Sequence, residues 1–212
     1  TAQIYQIQKD TKERVSNIIV MGMGEPLDNY EELLRFIKLV SCEKGIGISQ
    51  RNITVSTCGL VDKIRMLADE KLQITLAISL HAPNDEIRRQ TMPIANRYTI
   101  GEIIQACKYY FDKTGRRITF EYSMIRGVND KEEHAKELAG RLSGLNCHIN
   151  LIPLNEVKER NCYRSTKEDI EKFKSILEKY RKTVTIRREM GSDIDAACGQ
   201  LRKKFLTKNG RN

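Results

Sequence analysis

The sequence predicts an α/β protein built on a parallel sheet. Short runs of β-branched and apolar residues alternate with stretches in which apolar side chains recur every three or four positions. Polar or glycine-rich clusters follow the carboxyl ends of those runs, the edge at which parallel α/β folds place their chemistry. No dinucleotide-type GxGxxG follows the first run and no Walker loop occurs, so two common phosphate-binding classes are set aside.

The strands are expected at 17–21, 53–56, 74–80, 118–124, 148–153 and 183–187, mostly buried on both faces. Leu33, Phe36, Ile37 and Val40 mark a first helix between them. Leu60, Ile64 and Leu67 mark a second, and Ile103, Ile104, Cys107 and Phe111 a third. His134, Leu138 and Leu142 suggest a fourth. Ile170, Phe173, Ile176, Leu177 and Tyr180 make the last stripe, opened by Ser165 and Glu168 at capping-box spacing. The first nine residues read as the end of another helix. Two architectures satisfy this order: a full or partial (β/α) barrel, and an open doubly wound sheet.

The chain has 212 residues, 40% hydrophobic and 31% charged, a globular balance that excludes wholesale disorder. No run approaches the roughly 18 apolar residues of a membrane span, and no apolar signal segment opens the sequence. Six cysteines are scattered at 42, 58, 107, 147, 162 and 198 without CxxC spacing. They read as reduced thiols of a cytoplasmic protein, not as a disulfide framework or a zinc knuckle. Ten basic residues against three acidic ones between 179 and 212 supply +7 of the +9 net charge. That bias suits a polyanion such as nucleic acid, or simply a solvated tail. The periodic pattern stops near Met190, so residues 1–190 are expected to form the folded domain and 191–212 a loop and basic tail.

Each strand-end group has two readings. Gly22-x-Gly24-Glu25-Pro26 offers approachable backbone amides and a carboxylate that can hold an ammonium, or a tight turn with an acid at a helix N-terminus. Ser56 and Ser79 can bind a carboxylate or ribose, or cap strand ends. His81 can serve as a general base or as a structural histidine, and Asn155 can read a base edge or close a turn. Cys198, between Ala197 and Gly199 and ahead of a basic run, suits a thiolate nucleophile on a small-residue loop. By residue type alone, an inert small residue is the commoner reading.

Four blocks taken together resemble the RlmN/Cfr family of radical S-adenosylmethionine (SAM) enzymes, which methylate RNA adenine. They are GMGEPL at 22–27, SLHA at 79–82, NLIPLN at 150–155 and GSDIDAACGQL at 191–201. They stand in the family's order, from about Val15 to Lys204. Arg202 and the basic continuation look more like the RlmN branch, which methylates C2 of adenine, than the C8-methylating resistance branch.

The resemblance implies a partial parallel (β/α)6 radical-SAM barrel, here missing its first strand, with SAM at its mouth. Gly24 and Glu25 match the motif that holds the methionine ammonium, and Ser56, Ser79, Leu80, His81 and Asn155 match further SAM-contacting positions. Cys198 matches the cysteine that becomes methylated. In the family one SAM methylates this thiolate. A second is cleaved to a 5′-deoxyadenosyl radical, which takes a hydrogen from the S-methyl group. The carbon radical adds to adenine, and another cysteine releases the product through a disulfide. The implied partners are 23S rRNA, tRNA and a flavodoxin- or ferredoxin-like reductant, with no membrane. One departure is large: the family's Cys-x3-Cys-x2-Cys motif for a [4Fe–4S] cluster is absent. The resemblance therefore implies a C-terminal portion of the enzyme, inactive alone, with an exposed sheet edge. A non-catalytic SAM- or RNA-binding remnant is the rival reading.

Overall fold

The computed structural model describes residues 1–22, 24–155 and 162–188. Six strands alternate with seven helices among these residues. The strands are β1 (Ile18–Val20), β2 (Ile53–Thr57), β3 (Thr75–Ser79), β4 (Ile118–Met124), β5 (Cys147–Pro153) and β6 (Thr183–Ile186). Their order in the sheet is sequential, β1 to β6. The helices are α1 (Ala2–Thr11), α2 (Tyr30–Ser41), α3 (Val61–Asp69), α4 (Asp85–Thr91), α5 (Ile100–Thr114), α6 (Glu132–Arg141) and α7 (Lys167–Lys179). A parallel pair cannot be closed by a tight turn, and the intervening helices supply the crossovers. Among the described residues no helix is long and apolar enough to cross a membrane.

The chain divides into two compact units. The first comprises Thr1–Met21, Glu25–Ser79 and Asn96–Thr119. In it β1 pairs in parallel with β2, and β2 with β3; Val20 stands opposite Val55, and Thr57 opposite Ile78. Ile53, Val55, Leu76 and Ile78 are fully buried. Each such side chain contributes about 1.5–3 kcal/mol relative to exposure. Helices α3 and α5 pack together, and Ile64, Leu67, Ile103 and Tyr110 are fully buried. The Tyr110 hydroxyl donates to the Ile74 carbonyl at 3.1 Å, tying α5 to the entry of β3. Helix α5 opens with a capping box between Thr99 and Glu102. It stops at Gly115, whose φ of 66° is left-handed and whose N–H returns to Phe111 O at 2.7 Å. At the other side of this unit, β1 has only three residues, and Ile19 is 63% exposed. The expected open sheet edge is present there.

The second unit comprises Gly22–Gly24, Leu80–Ala95 and the chain from Phe120 on. Here β5 and β6 run parallel, with Ile149 opposite Val184, and α6 packs on α7. Tyr122 and Phe173 meet with ring centroids 5.2 Å apart. Two details differ from the sequence reading. The cap of α7 is Thr166, whose hydroxyl accepts from Asp169 N–H at 3.1 Å; Ser165 is instead buried and donates to Asp130 at 2.7 Å. Tyr180, placed in the apolar stripe by spacing, is 52% exposed, because α7 ends at Lys179. Helix α4 was not legible at all. It is seven residues long and its one buried residue is Arg88, so it has no apolar stripe.

Candidate functional site

In the first unit the site residues gather at one sheet edge, because β1, β2 and β3 all point their carboxyl ends the same way. Glu25 follows β1 and caps the 3-10 turn Pro26–Asn29. Its Oε1 accepts Leu27 N–H at 3.0 Å, and its Oε2 accepts Cys58 N–H at 2.7 Å, just beyond β2. The carboxylate thus latches two strand ends together. Each oxygen retains a second lone pair, so the group can also accept from an ammonium. Ser56 lies in β2, 7% exposed, and Ser79 is the last residue of β3, half-buried. Thr57 Oγ1 accepts Gly59 N–H at 3.1 Å and shapes the turn that follows. The sequence offered Glu25 as ligand or as turn acid. The structure realises the second role and leaves the carboxylate able to fill the first.

In the second unit Gly24 has φ +94°, and a Cβ added there would meet no atom within 4 Å. A glycine suits this backbone, and the space beside it is open. Leu80 is fully buried, and both its backbone polar groups are engaged within the protein. Its N–H and that of His81 both donate to Glu121 O, each at 3.1 Å, turning the chain off β3. His81 is left-handed, with φ 57°. That conformation costs a β-carbon-bearing residue about 1–2 kcal/mol. His81 Nδ1 accepts Ser123 N–H at 3.0 Å. A backbone N–H can only donate, so the ring proton of neutral His81 sits on Nε2. Burial first, and the Arg88 guanidinium second, push its pKa down to about 4. Of the two readings the sequence left open, general base or structural histidine, the contact to Ser123 favours a neutral imidazole held in place with its N–H at Nε2. Asn155 is described just beyond β5, half-buried. Cys198, the boundary at 190 and the whole of 191–212, the expected loop and basic tail, lie outside the described residues.

The sequence reading missed two residues here. Arg88 is fully buried and its Nε donates to Leu80 O at 3.1 Å. Asn129 is fully buried; its Nδ2 donates to His81 O at 2.9 Å and to Ser123 O at 2.7 Å, and its Oδ1 accepts Ile125 N–H at 2.8 Å. The only signal for Asn129 is the Gly127-Val128-Asn129-Asp130 turn composition, which by itself says loop. The other histidines have structural roles. His134 Nδ1 accepts Lys131 N–H at 3.2 Å at the start of α6, and His148 pairs with Thr185 at 3.0 Å.

Taken by itself, the first unit offers an acceptor carboxylate at Glu25 and strand-end hydroxyls at Ser56 and Ser79, and the second an open glycine backbone at Gly24 and an imidazole N–H at His81; these are group types that suit SAM. They do not fit an iron–sulfur cluster. No Cys-x3-Cys-x2-Cys occurs in the 212 residues, and no group of three His, Cys, Asp or Glu able to hold a metal is found among the described residues. An open groove along α2, about 520 Å³, is lined by Glu31, Leu34, Arg35, Lys38, Leu39 and Cys42 and contains no strand-end residue.

With this geometry in place, comparison with known proteins gives the class. Residues 1–139 match the model of the radical SAM superfamily, and the chain belongs to that superfamily. The more particular likeness is to RNA-modifying members. The chain is 62% identical over 204 residues to a "Probable dual-specificity RNA methyltransferase RlmN" of Lachnospira eligens, covering 96% of this chain and 58% of that one. It is 59% identical over 206 residues to the protein of the same description from Lachnoclostridium phytofermentans, again covering 58% of it. The crystal structure of a radical SAM methyltransferase from Sphaerobacter thermophilus superposes with a TM-score of 0.88 at 47% identity, covering 94% of this chain and 58% of that one. The Streptococcus suis SuiB structure, bound to S-adenosylmethionine, shares the fold with a TM-score of 0.62 at 16% identity, covering 92% of this chain and 47% of that one. The chain thus spans about 58% of the length of the curated relatives it matches. The resemblance drawn from the four sequence blocks is borne out.

Proposed function

We propose that this chain is the SAM-holding and methyl-carrying part of an RNA methyltransferase that modifies C2 of adenine in 23S rRNA and tRNA. The observation that carries the reading is the likeness, at 62% and 59% identity along nearly the whole chain, to proteins described as RlmN. The retained GMGEPL, SLHA and GSDIDAACGQL blocks support it. When bound at a cluster held elsewhere, SAM supplies both a methyl group and a radical, which an unreactive ring carbon requires. Glu25 accepts from the ammonium while its latch to Leu27 and Cys58 keeps the strand ends in register. Ser56 and Ser79 offer hydroxyls at the same edge, and Asn155 offers an amide beyond β5. His81 donates through Nε2. Cys198 carries the methyl group on a loop of small residues, and the basic tail meets the RNA phosphates. Electrons come from a flavodoxin- or ferredoxin-like protein, and the cytoplasm is the expected compartment.

The test uses the complete protein, reconstituted with iron and sulfide, and analyses nucleosides of 23S rRNA and tRNA by mass spectrometry. The expected product is 2-methyladenosine with the natural protein and none with Cys198→Ala. Retained product in Cys198→Ala overturns the role of that cysteine. 8-Methyladenosine assigns the protein to the other branch. No product in either, with an intact cluster, favours the non-catalytic reading.

A further inference from the structure

We infer that Asn129 is a positioning residue for His81: its side-chain amide fixes the left-handed backbone at His81 against the Ser123 backbone, so that the imidazole is presented as an Nε2–H donor to SAM. The inference rests on the proposed SAM site and adds a residue outside the four motif blocks. Three observations carry it. First, Asn129 is fully buried and spends both amide protons on carbonyls, one of His81 and one of Ser123. Its Oδ1 takes Ile125 N–H, so a flipped amide would set an oxygen against two carbonyls and a nitrogen against a donor. Second, the bonds to Ser123 and Ile125 close a local turn, but the bond to His81 reaches back 48 positions in the chain. A residue serving only the turn has no need of it. Third, the same amide holds both partners of the contact that sets the tautomer, the His81 backbone and the Ser123 residue whose N–H meets Nδ1. Asn129 is itself anchored, because its carbonyl accepts the Tyr122 hydroxyl at 2.7 Å. Arg88 completes the grip one residue earlier, at Leu80 O.

Nuclear magnetic resonance of the complete ¹⁵N-labelled protein, together with calorimetric titration of SAM, tests this. The His81 ring is assigned as the imidazole signal absent from a His81→Asn variant. In the natural protein the ring should carry its proton on Nε2, with a coupling between Nδ1 and Ser123 N across the hydrogen bond. Asn129→Asp keeps the acceptor for Ile125 and loses both donors; Asn129→Ser shortens the side chain out of reach. Either should give a mixed His81 tautomer and weaken SAM by about tenfold, the worth of one pre-organised donor. A proton on Nδ1 in the natural protein, or a folded variant with unchanged SAM affinity and tautomer, overturns the inference. If neither variant folds, the natural protein decides. The Nδ1–Ser123 coupling and slow exchange of the Asn129 amide protons support the inference, and loss of either overturns it. Failure of the natural protein to bind SAM overturns the proposed function, and the spectrum then judges the hold of Asn129 on His81 alone.

Discussion

Acid should destabilise this fold through His81, by an amount that can be worked out. In the folded chain the ring is neutral, with its pKa pushed down to about 4 by burial and Arg88. In the unfolded chain it returns to its ordinary value near 6.5. As pH falls below about 6.5 the unfolded state takes up a proton that the folded state refuses, so stability drops until about pH 4 and then levels. At about 1.4 kcal/mol per pH unit the gap is worth about 3 kcal/mol. That is a sizeable share of the roughly 5–15 kcal/mol by which a domain is stable. Other groups titrate in the same window, so the informative quantity is a difference. His81→Asn removes the titration, and asparagine tolerates the left-handed backbone at this position. The chain has no tryptophan, so urea unfolding is best followed by far-ultraviolet circular dichroism. Between about pH 7 and pH 4.5 the natural protein should lose about 2–3 kcal/mol more than the variant. Parallel losses in the two proteins would refute the half-buried, neutral His81.

Further outcomes follow from the same geometry. Tyr122→Phe deletes the hydroxyl that donates to Asn129 O at 2.7 Å and leaves a buried carbonyl unpaired; urea unfolding should show a loss of about 1–2 kcal/mol with the Phe173 ring contact kept. Gly115→Ala forces a β-carbon into a left-handed helix end with φ 66°, though nothing crowds the added atom. It should cost about 1 kcal/mol, read as a lower unfolding midpoint with an unchanged denaturant slope. Glu25→Gln sets an amide NH2 against one of two backbone donors, Leu27 N–H or Cys58 N–H. Hydrogen exchange at Cys58 or Leu27 should accelerate, and unchanged protection at both would remove the latch from the account.

Much of the fold was legible because buried parallel strands and amphipathic helices write themselves into hydrophobic period. The run at 118–124 coincides with β4, and 183–187 overshoots β6 by one residue. Helix α4 was invisible for a physical reason: it buries a guanidinium, not an apolar stripe. The cap of α7 slipped by one residue because Ser165 and Thr166 are both good caps, and only packing shows that Ser165 is claimed by Asp130. The strand-end residues were legible as a list, since β-strand ends in parallel folds carry polar groups. Their connections were not. Nothing local says that Glu25 takes the amide of Cys58, or that Asn129 takes the carbonyl of His81, because both bonds join segments far apart in the chain.

The most direct test of the central claim, that these strand ends hold SAM, is calorimetric titration of SAM into the complete protein and into its Glu25→Ala variant. The account requires saturable one-to-one binding by the natural protein, weakened at least about tenfold when the carboxylate proposed to accept the ammonium is removed. No saturable binding by the natural protein, or equal affinity in the two, would contradict it.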